Sequence, residues 1–236
     1  MNTWGNYQNG VKSKEYEDII VRDGFTLGYH SLIKHTECKP SHKFIYLILR
    51  SNIDYNTLKA TVSIEKLSST SGYSKQTVKD AIKKLESLGY IEISTAAFTR
   101  SKRGVNVYTF PREDGSFEKF TEFFIYNSKL TNAQKEFVVL LMPLFRENDT
   151  IGYTTAQIAK LIGMSRPTAT KRIKELRAMG YVLDAPKGYT KFNLVGMMID
   201  NQDGLLNENL RLNKKVMELE AKVEKLSSRG VYIMTE

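Results

Sequence analysis

GYSKQTVKDAIKKLESLGY, from Gly72 to Tyr90, and GMSRPTATKRIKELRAMGY, from Gly163 to Tyr181, are the two stretches whose reading decides how this chain folds. They begin 91 residues apart and share eight of 19 positions: Gly72/Gly163, Ser74/Ser165, Thr77/Thr168, Ile82/Ile173, Lys83/Lys174, Leu85/Leu176, Gly89/Gly180 and Tyr90/Tyr181. Unrelated segments of average composition would share about one. The pair is therefore an internal repeat, and each copy has the same mechanical reading. Ser74 and Ser165 are placed to cap a helix, their hydroxyls accepting from free N–H groups of the first turn. Val78, Ile82 and Leu85, like Ala169, Ile173 and Leu176, recur at the spacing that puts them on one buried helix face. Gly89 and Gly180 stand where a left-handed residue ends a helix. Tyr90-Ile91-Glu92-Ile93 and Tyr181-Val182-Leu183 then turn aromatic and β-branched, the character of strands.

Working outward, a shorter helix precedes each copy, at Ser63-Ile64-Glu65-Lys66-Leu67 and Thr154-Thr155-Ala156-Gln157-Ile158, so each unit contains a helix, a tight turn and a second helix. Apolar helices from Lys43 to Leu49 and from Ala133 to Leu144 are expected to cover these pairs, the second ended or bent by Pro143. Hairpins follow, from Tyr90 to Phe110 around Ser101-Lys102-Arg103-Gly104, and from Tyr181 to Leu194 around Pro186-Lys187-Gly188. Phe120 to Tyr126 reads as a strand feeding the second core. The expected fold is mainly α with small β-wings, an α+β chain of two tandem three-helix units, each ending in a two-stranded wing. Its parts are a flexible amino terminus at 1–14, a first domain at 15–112, a second at 117–200, a coiled coil at 204–228 and a tail at 229–236.

The segments S-I-E-K-L-x4-G-Y-S-K-Q-T-V-x3-I-x2-L-x3-G-Y-I, from Ser63, and T-T-A-Q-I-x4-G-M-S-R-P-T-A-x3-I-x2-L-x3-G-Y-V, from Thr154, resemble the winged-helix DNA-binding family. The resemblance covers roughly 24–110 and 117–195. With Phe25-Thr26-Leu27-Gly28-Tyr29-His30-Ser31-Leu32-Ile33 ahead of its helices, the first unit also resembles the amino-terminal domain of phage and plasmid replication initiators. These likenesses imply a double-stranded-DNA-binding protein without enzymatic activity.

Charge points the same way. There are 35 Lys and Arg against 26 Asp and Glu, a net charge of +9, which favours polyanionic partners. The segment from Asp203 to Glu236 holds six basic and six acidic residues, so the excess lies in the first 202 residues. Opposite the buried face, the first repeat shows Lys75, Gln76, Lys79, Asp80 and Lys83, and the second shows Arg166, Pro167, Thr170, Lys171 and Lys174. Arg and Lys can reach guanine O6 and N7 in the major groove, and Gln can pair with adenine, so Lys75, Gln76, Arg166 and Lys171 are the expected base readers. Ser74, Thr77, Ser165 and Thr168 would meet phosphate at the helix amino terminus. Arg100, Lys102 and Arg103 in the first wing, with Lys187 and Lys191 in the second, would follow the flanking backbone. A solvated basic face is the competing reading of each residue.

Beyond the repeats, Leu205, Leu212, Leu219 and Leu226 recur every seventh residue with Asn209, Val216 and Val223 between them. Leu at d with Asn or Val at a favours a parallel two-stranded coil, hence a homodimer. A lone amphipathic helix folded onto the chain is the alternative. His30, His35, Cys38 and His42 lie close together, and imidazole and thiolate are zinc ligands, but the usual two-cysteine spacing is absent. No phosphate-binding Gly-rich loop, H-E-x-x-H or G-x-S-x-G occurs, so neither a catalytic constellation nor a cofactor is expected. The longest apolar run, Phe137 to Phe145, spans nine residues, against roughly 20 for a membrane helix. A single cysteine suits a reducing compartment, and the expectation is cytoplasmic and nucleoid-associated in a bacterial or phage-infected cell. Transcriptional regulation is the leading expectation, with a replication initiator and a protein-interaction adaptor as rivals.

Overall fold

A computed structural model describes residues 24–54, 56–95, 105–112, 115–145, 150–183 and 190–198, with Asp18. The predicted flexible amino terminus, Arg100, Lys102, Arg103, Lys187, the leucine heptad and the tail lie outside the described residues. All the rest falls in one compact unit.

Each repeat begins with a strand. β1 (Thr26–Tyr29) leads through the single-turn α1 (His30–Ile33) into α2 (Pro40–Arg50). Pro40 opens α2, where its missing N–H leaves no intrahelical bond unmade. Every residue of α2 from His42 to Arg50 is buried, as expected of a helix that is apolar nearly all round. β2 (Lys59–Thr61), α3 (Ile64–Ser71), α4 (Lys75–Ser87), β3 (Glu92–Thr95) and β4 (Asn106–Thr109) complete the first unit. The second runs β5 (Phe117–Phe120), α5 (Glu122–Tyr126), α6 (Asn132–Leu141), β6 (Thr150–Ile151), α7 (Thr155–Leu161), α8 (Arg166–Ala178), β7 (Val182–Leu183), β8 (Thr190–Phe192) and α9 (Leu194–Met198). Pro143 sits in a 3-10 turn, Met142–Leu144, that ends α6.

Two expectations are corrected. The wings belong to three-stranded antiparallel sheets, ordered β2-β4-β3 and β6-β8-β7, because a short strand before each helix-turn-helix joins the hairpin. β2 has three residues and β6 two, too few for an alternation to show in sequence. The segment from Phe120 to Tyr126 is mostly helical: the strand stops at Phe120, and Thr121 caps α5 by accepting from the Phe124 N–H at 3.2 Å. The Thr121 hydroxyl also donates to the Met198 carbonyl at 2.8 Å, tying α9 to the start of α5.

One buried cluster runs from Leu32 to Met198, with α2 packed against α6 at its centre. Beside it β1 pairs antiparallel with β5, from Thr26 opposite Phe120 to Tyr29 opposite Phe117. Gly28 makes this approach possible, since a Cβ there would lie 2.6 Å from Phe120 Cε2 and 3.1 Å from Leu47 Cδ2.

The same polar contact recurs in both halves. Lys43 Nζ donates to the Ile33 carbonyl at 2.6 Å, and Lys135 Nζ to the Ile125 carbonyl at 2.9 Å, each satisfying the end of the short helix before it. Burial pulls both ammonium groups down to about 8. Unfolded lysine holds its proton to a pH of roughly 10.4, so between about 8 and about 10 the unfolded chain binds more protons and stability rises with pH. Each lysine is expected to add about 1 to 3 kcal/mol across that window. Cys38, whose thiol burial raises, works against the rise from about 8.5, and Tyr73, whose phenol is raised by burial and by Glu136, does so above about 10. Urea unfolding at pH 7.5 and 9.5 checks this: the rise should shrink in Lys43→Met and again in Lys43→Met/Lys135→Met. An unchanged rise would refute the assignment.

Candidate nucleic-acid interface

The turn between α3 and α4 is made by Gly72, left-handed at φ 70°, and its counterpart Gly163 has φ 68°. Ser74 Oγ then accepts from the Thr77 N–H at 3.1 Å, and Ser165 Oγ from the Thr168 N–H at 3.3 Å. The two hydroxyls of each cap are also paired, Ser74 with Thr77 at 2.9 Å and Ser165 with Thr168 at 2.7 Å. Both helices end at a left-handed glycine, Gly89 at φ 75° and Gly180 at φ 77°. The buried faces are Val78, Ala81, Ile82 and Leu85 in α4, and Ala169, Ile173 and Leu176 in α8.

The opposite faces meet solvent. Lys75, Gln76, Lys79, Asp80 and Lys83 are exposed, as are Arg166, Pro167, Lys171 and Lys174, while Thr77, Thr168 and Thr170 are half-buried. Pro167, Thr170, Lys171 and Lys174 line a shallow concavity on α8 together with Arg166 and Glu175. Neither helix has an acidic residue in its first turn; instead Lys75 and Arg166 stand at the first helical position. A cation there opposes the helix dipole at a cost of about 0.3 to 1 kcal/mol, which a bound external anion would offset.

The two faces are not equally open. Lys75 Nζ lies 3.1 Å from Glu65 Oε1, and Gln76 Nε2 donates to Asp80 Oδ1 at 2.8 Å. Glu65 is held below the usual carboxylate range by its own backbone N–H and by Lys75. Both contacts are exposed, so they are worth little and give way readily to a stronger partner. On α8 the acidic neighbour Glu175 is engaged sideways by Arg172 at 2.7 Å, which leaves Arg166, Lys171 and Lys174 outside that pair. Sequence inspection passed over Glu65 because it lies on another helix, ten residues before Lys75. Lys191 is half-buried on β8, the central strand of the second sheet, opposite Thr150 and Leu183.

A link between α4 and α8 also escaped the sequence. Tyr73, just before the α4 cap, donates to the carboxylate of Glu136 on α6, and Asn132 Nδ2 donates to the Ser71 carbonyl at 2.7 Å. Burial raises the Glu136 carboxyl, with Tyr73 and Arg172 of α8 acting against it. Start of α4 and flank of α8 thus lean on the same helix.

The His and Cys residues serve separate ends. His30 Nε2 pairs with Glu118 at 2.8 Å, His35 Nδ1 accepts from the Glu37 N–H at 3.3 Å, and Cys38 and His42 are buried. Burial raises the Cys38 thiol and lowers the His42 imidazole. Among the described residues no three such side chains converge to hold a metal. No helix of the described residues is long and apolar enough to cross a membrane.

Comparison with protein families agrees with this geometry. Residues 36–91 match a helix-turn-helix domain, spanning α2 to the end of the first helix pair. Residues 152–182 match a winged helix-turn-helix DNA-binding domain, spanning α7 and α8. The search of curated proteins gives no match. With two capped helix pairs, each beside a three-stranded sheet and each overlapping such a match, the chain is a tandem winged helix-turn-helix protein.

Proposed function

We propose that the protein binds double-stranded DNA sequence-specifically and regulates transcription by occupying an operator, with no chemical step of its own. The observation that carries this reading is the outward, cation-led face presented by both α4 and α8, with Lys75 and Arg166 at helix amino termini where the helix dipole disfavours a cation. Lys75, Gln76, Arg166 and Lys171 are proposed to read bases; Ser74, Thr77, Lys79, Lys83, Ser165, Thr168, Thr170 and Lys174 to hold phosphate; and Arg100, Lys102, Arg103, Lys187 and Lys191 to follow the backbone beside the wings. Homodimerisation through Leu205, Asn209, Leu212, Val216, Leu219, Val223 and Leu226 is part of the proposal and rests on their heptad spacing.

Selection of bound fragments from genomic DNA, followed by titration in increasing salt, tests it. Affinity should fall by orders of magnitude between about 50 and 200 mM salt as phosphate contacts release counterions. Arg166→Ala should cost about 1 to 3 kcal/mol on the selected site and relax preference at one or two base pairs. Sites near promoters support an operator; several repeats beside an AT-rich region would instead make this an origin-binding protein. Salt-independent retention, or no selected sequence, would leave only a protein-binding role.

A further inference from the structure

The interface between the two halves has twofold character. A shift of 91 residues carries α4 (Lys75–Ser87) onto α8 (Arg166–Ala178) and β1 (Thr26–Tyr29) onto β5 (Phe117–Phe120), with a shift of 92 for α2 onto α6 between them. These two strands pair with each other, and antiparallel. Exchanging partners by the same shift turns the pair Thr26 and Phe120 into Phe117 and Tyr29, which is the other end of the same ladder. α2 packs against α6, its own counterpart, and the buried lysine contacts Lys43–Ile33 and Lys135–Ile125 recur on either side. Equivalent surfaces meet equivalent surfaces, as in an isologous dimer, but within one chain.

The consequence is directional. Reading helices related by a twofold axis meet the two strands of a duplex in opposite senses, which is why symmetric helix-turn-helix dimers bind inverted half-sites. Here the halves differ: α4 offers Lys75 and Gln76 beside Asp80, and α8 offers Arg166, Pro167 and Lys171. The shared core and the contacts of Tyr73 and Asn132 with α6 fix the pair in one arrangement.

We propose that one chain reads a complete imperfect inverted repeat, α4 taking one half-site and α8 the other, unlike half-site. The proposal rests on the DNA-binding reading above and goes further, naming the kind of site. The test uses the full-length protein and the DNA fragment it selects. Wild-type protein is titrated against the selected site, the same site with one half reversed in place, and the site with about 10 bp, one helical turn, inserted between halves. Both altered sites should bind at least about tenfold more weakly, the loss typical of disrupting one or more base contacts. Lys75→Ala should relax selection in one half only and Arg166→Ala in the other. Equal binding to the reversed-half site, a direct repeat as the selected motif, or relaxation of both halves by each substitution would overturn the inverted, one-chain reading while leaving DNA binding intact. Failure to select any sequence would remove the DNA-binding reading and this one with it.

Discussion

Phe137→Ala is expected to remove about 3 to 5 kcal/mol of stability and to unfold both winged helices together. Phe137 is wholly buried on α6, the helix that packs against α2 of the other half, and α6 also contacts α8. Truncating a buried phenylalanine forfeits its transfer free energy and leaves a cavity that a close-packed interior only partly closes. Against a typical total of roughly 5 to 15 kcal/mol, this is a large share. If each half had its own core, the loss would be confined to the second. The buried cluster instead runs unbroken from Leu32 to Met198, so amide protection in α4 should fall in step with that in α8. Hydrogen exchange of the variant measures this directly. Full protection surviving in α4 while α8 exchanges freely would show two independent cores.

The elements that define this fold by local chemistry were legible in the sequence. Ser74 and Ser165 cap as their hydroxyls required, Gly89 and Gly180 adopt the left-handed conformation that stops each helix, and Pro143 ends α6 in a 3-10 turn. The outward faces of α4 and α8 were legible too, because a helix with one apolar stripe must show the rest to water. What was not legible depended on distant partners. β2 and β6 are strands only because β4 and β8 pair with them, and Phe120 to Tyr126 has the aromatic content of a strand yet turns helical at Thr121, whose cap outweighs that preference. The pairing of β1 with β5 leaves no trace in side-chain identity, since Phe25 to Tyr29 and Ser116 to Phe120 share no residue at equivalent positions. For the same reason the engagement of Lys75 by Glu65, and of Tyr73 by Glu136, could come only from the assembled chain.

Reversing charge along α8, with Arg166→Glu, Lys171→Glu and Lys174→Glu together, is expected to abolish sequence-selective DNA binding, a loss of a thousandfold or more at moderate salt. Each base contact of this kind is worth about 1 to 3 kcal/mol, and each substitution also places an anion where a phosphate or base acceptor should sit. The fold should survive. All three residues are exposed, and surface changes of this sort usually stay within about 0.5 kcal/mol. Glu at position 166 would in fact suit the helix amino terminus better than Arg, adding about 0.3 to 1 kcal/mol. Binding and stability are therefore expected to move in opposite directions at Arg166, a pattern that a merely structural role cannot produce. The matching reversal on α4, Lys79→Glu with Lys83→Glu, should weaken binding less, because Asp80 already lies between these lysines and Lys75 begins in contact with Glu65. Thermal melting of the α8 variant beside titration against the selected site gives both quantities. Affinity within about threefold of wild type, in a protein that still melts normally, would mean that α8 faces something other than DNA.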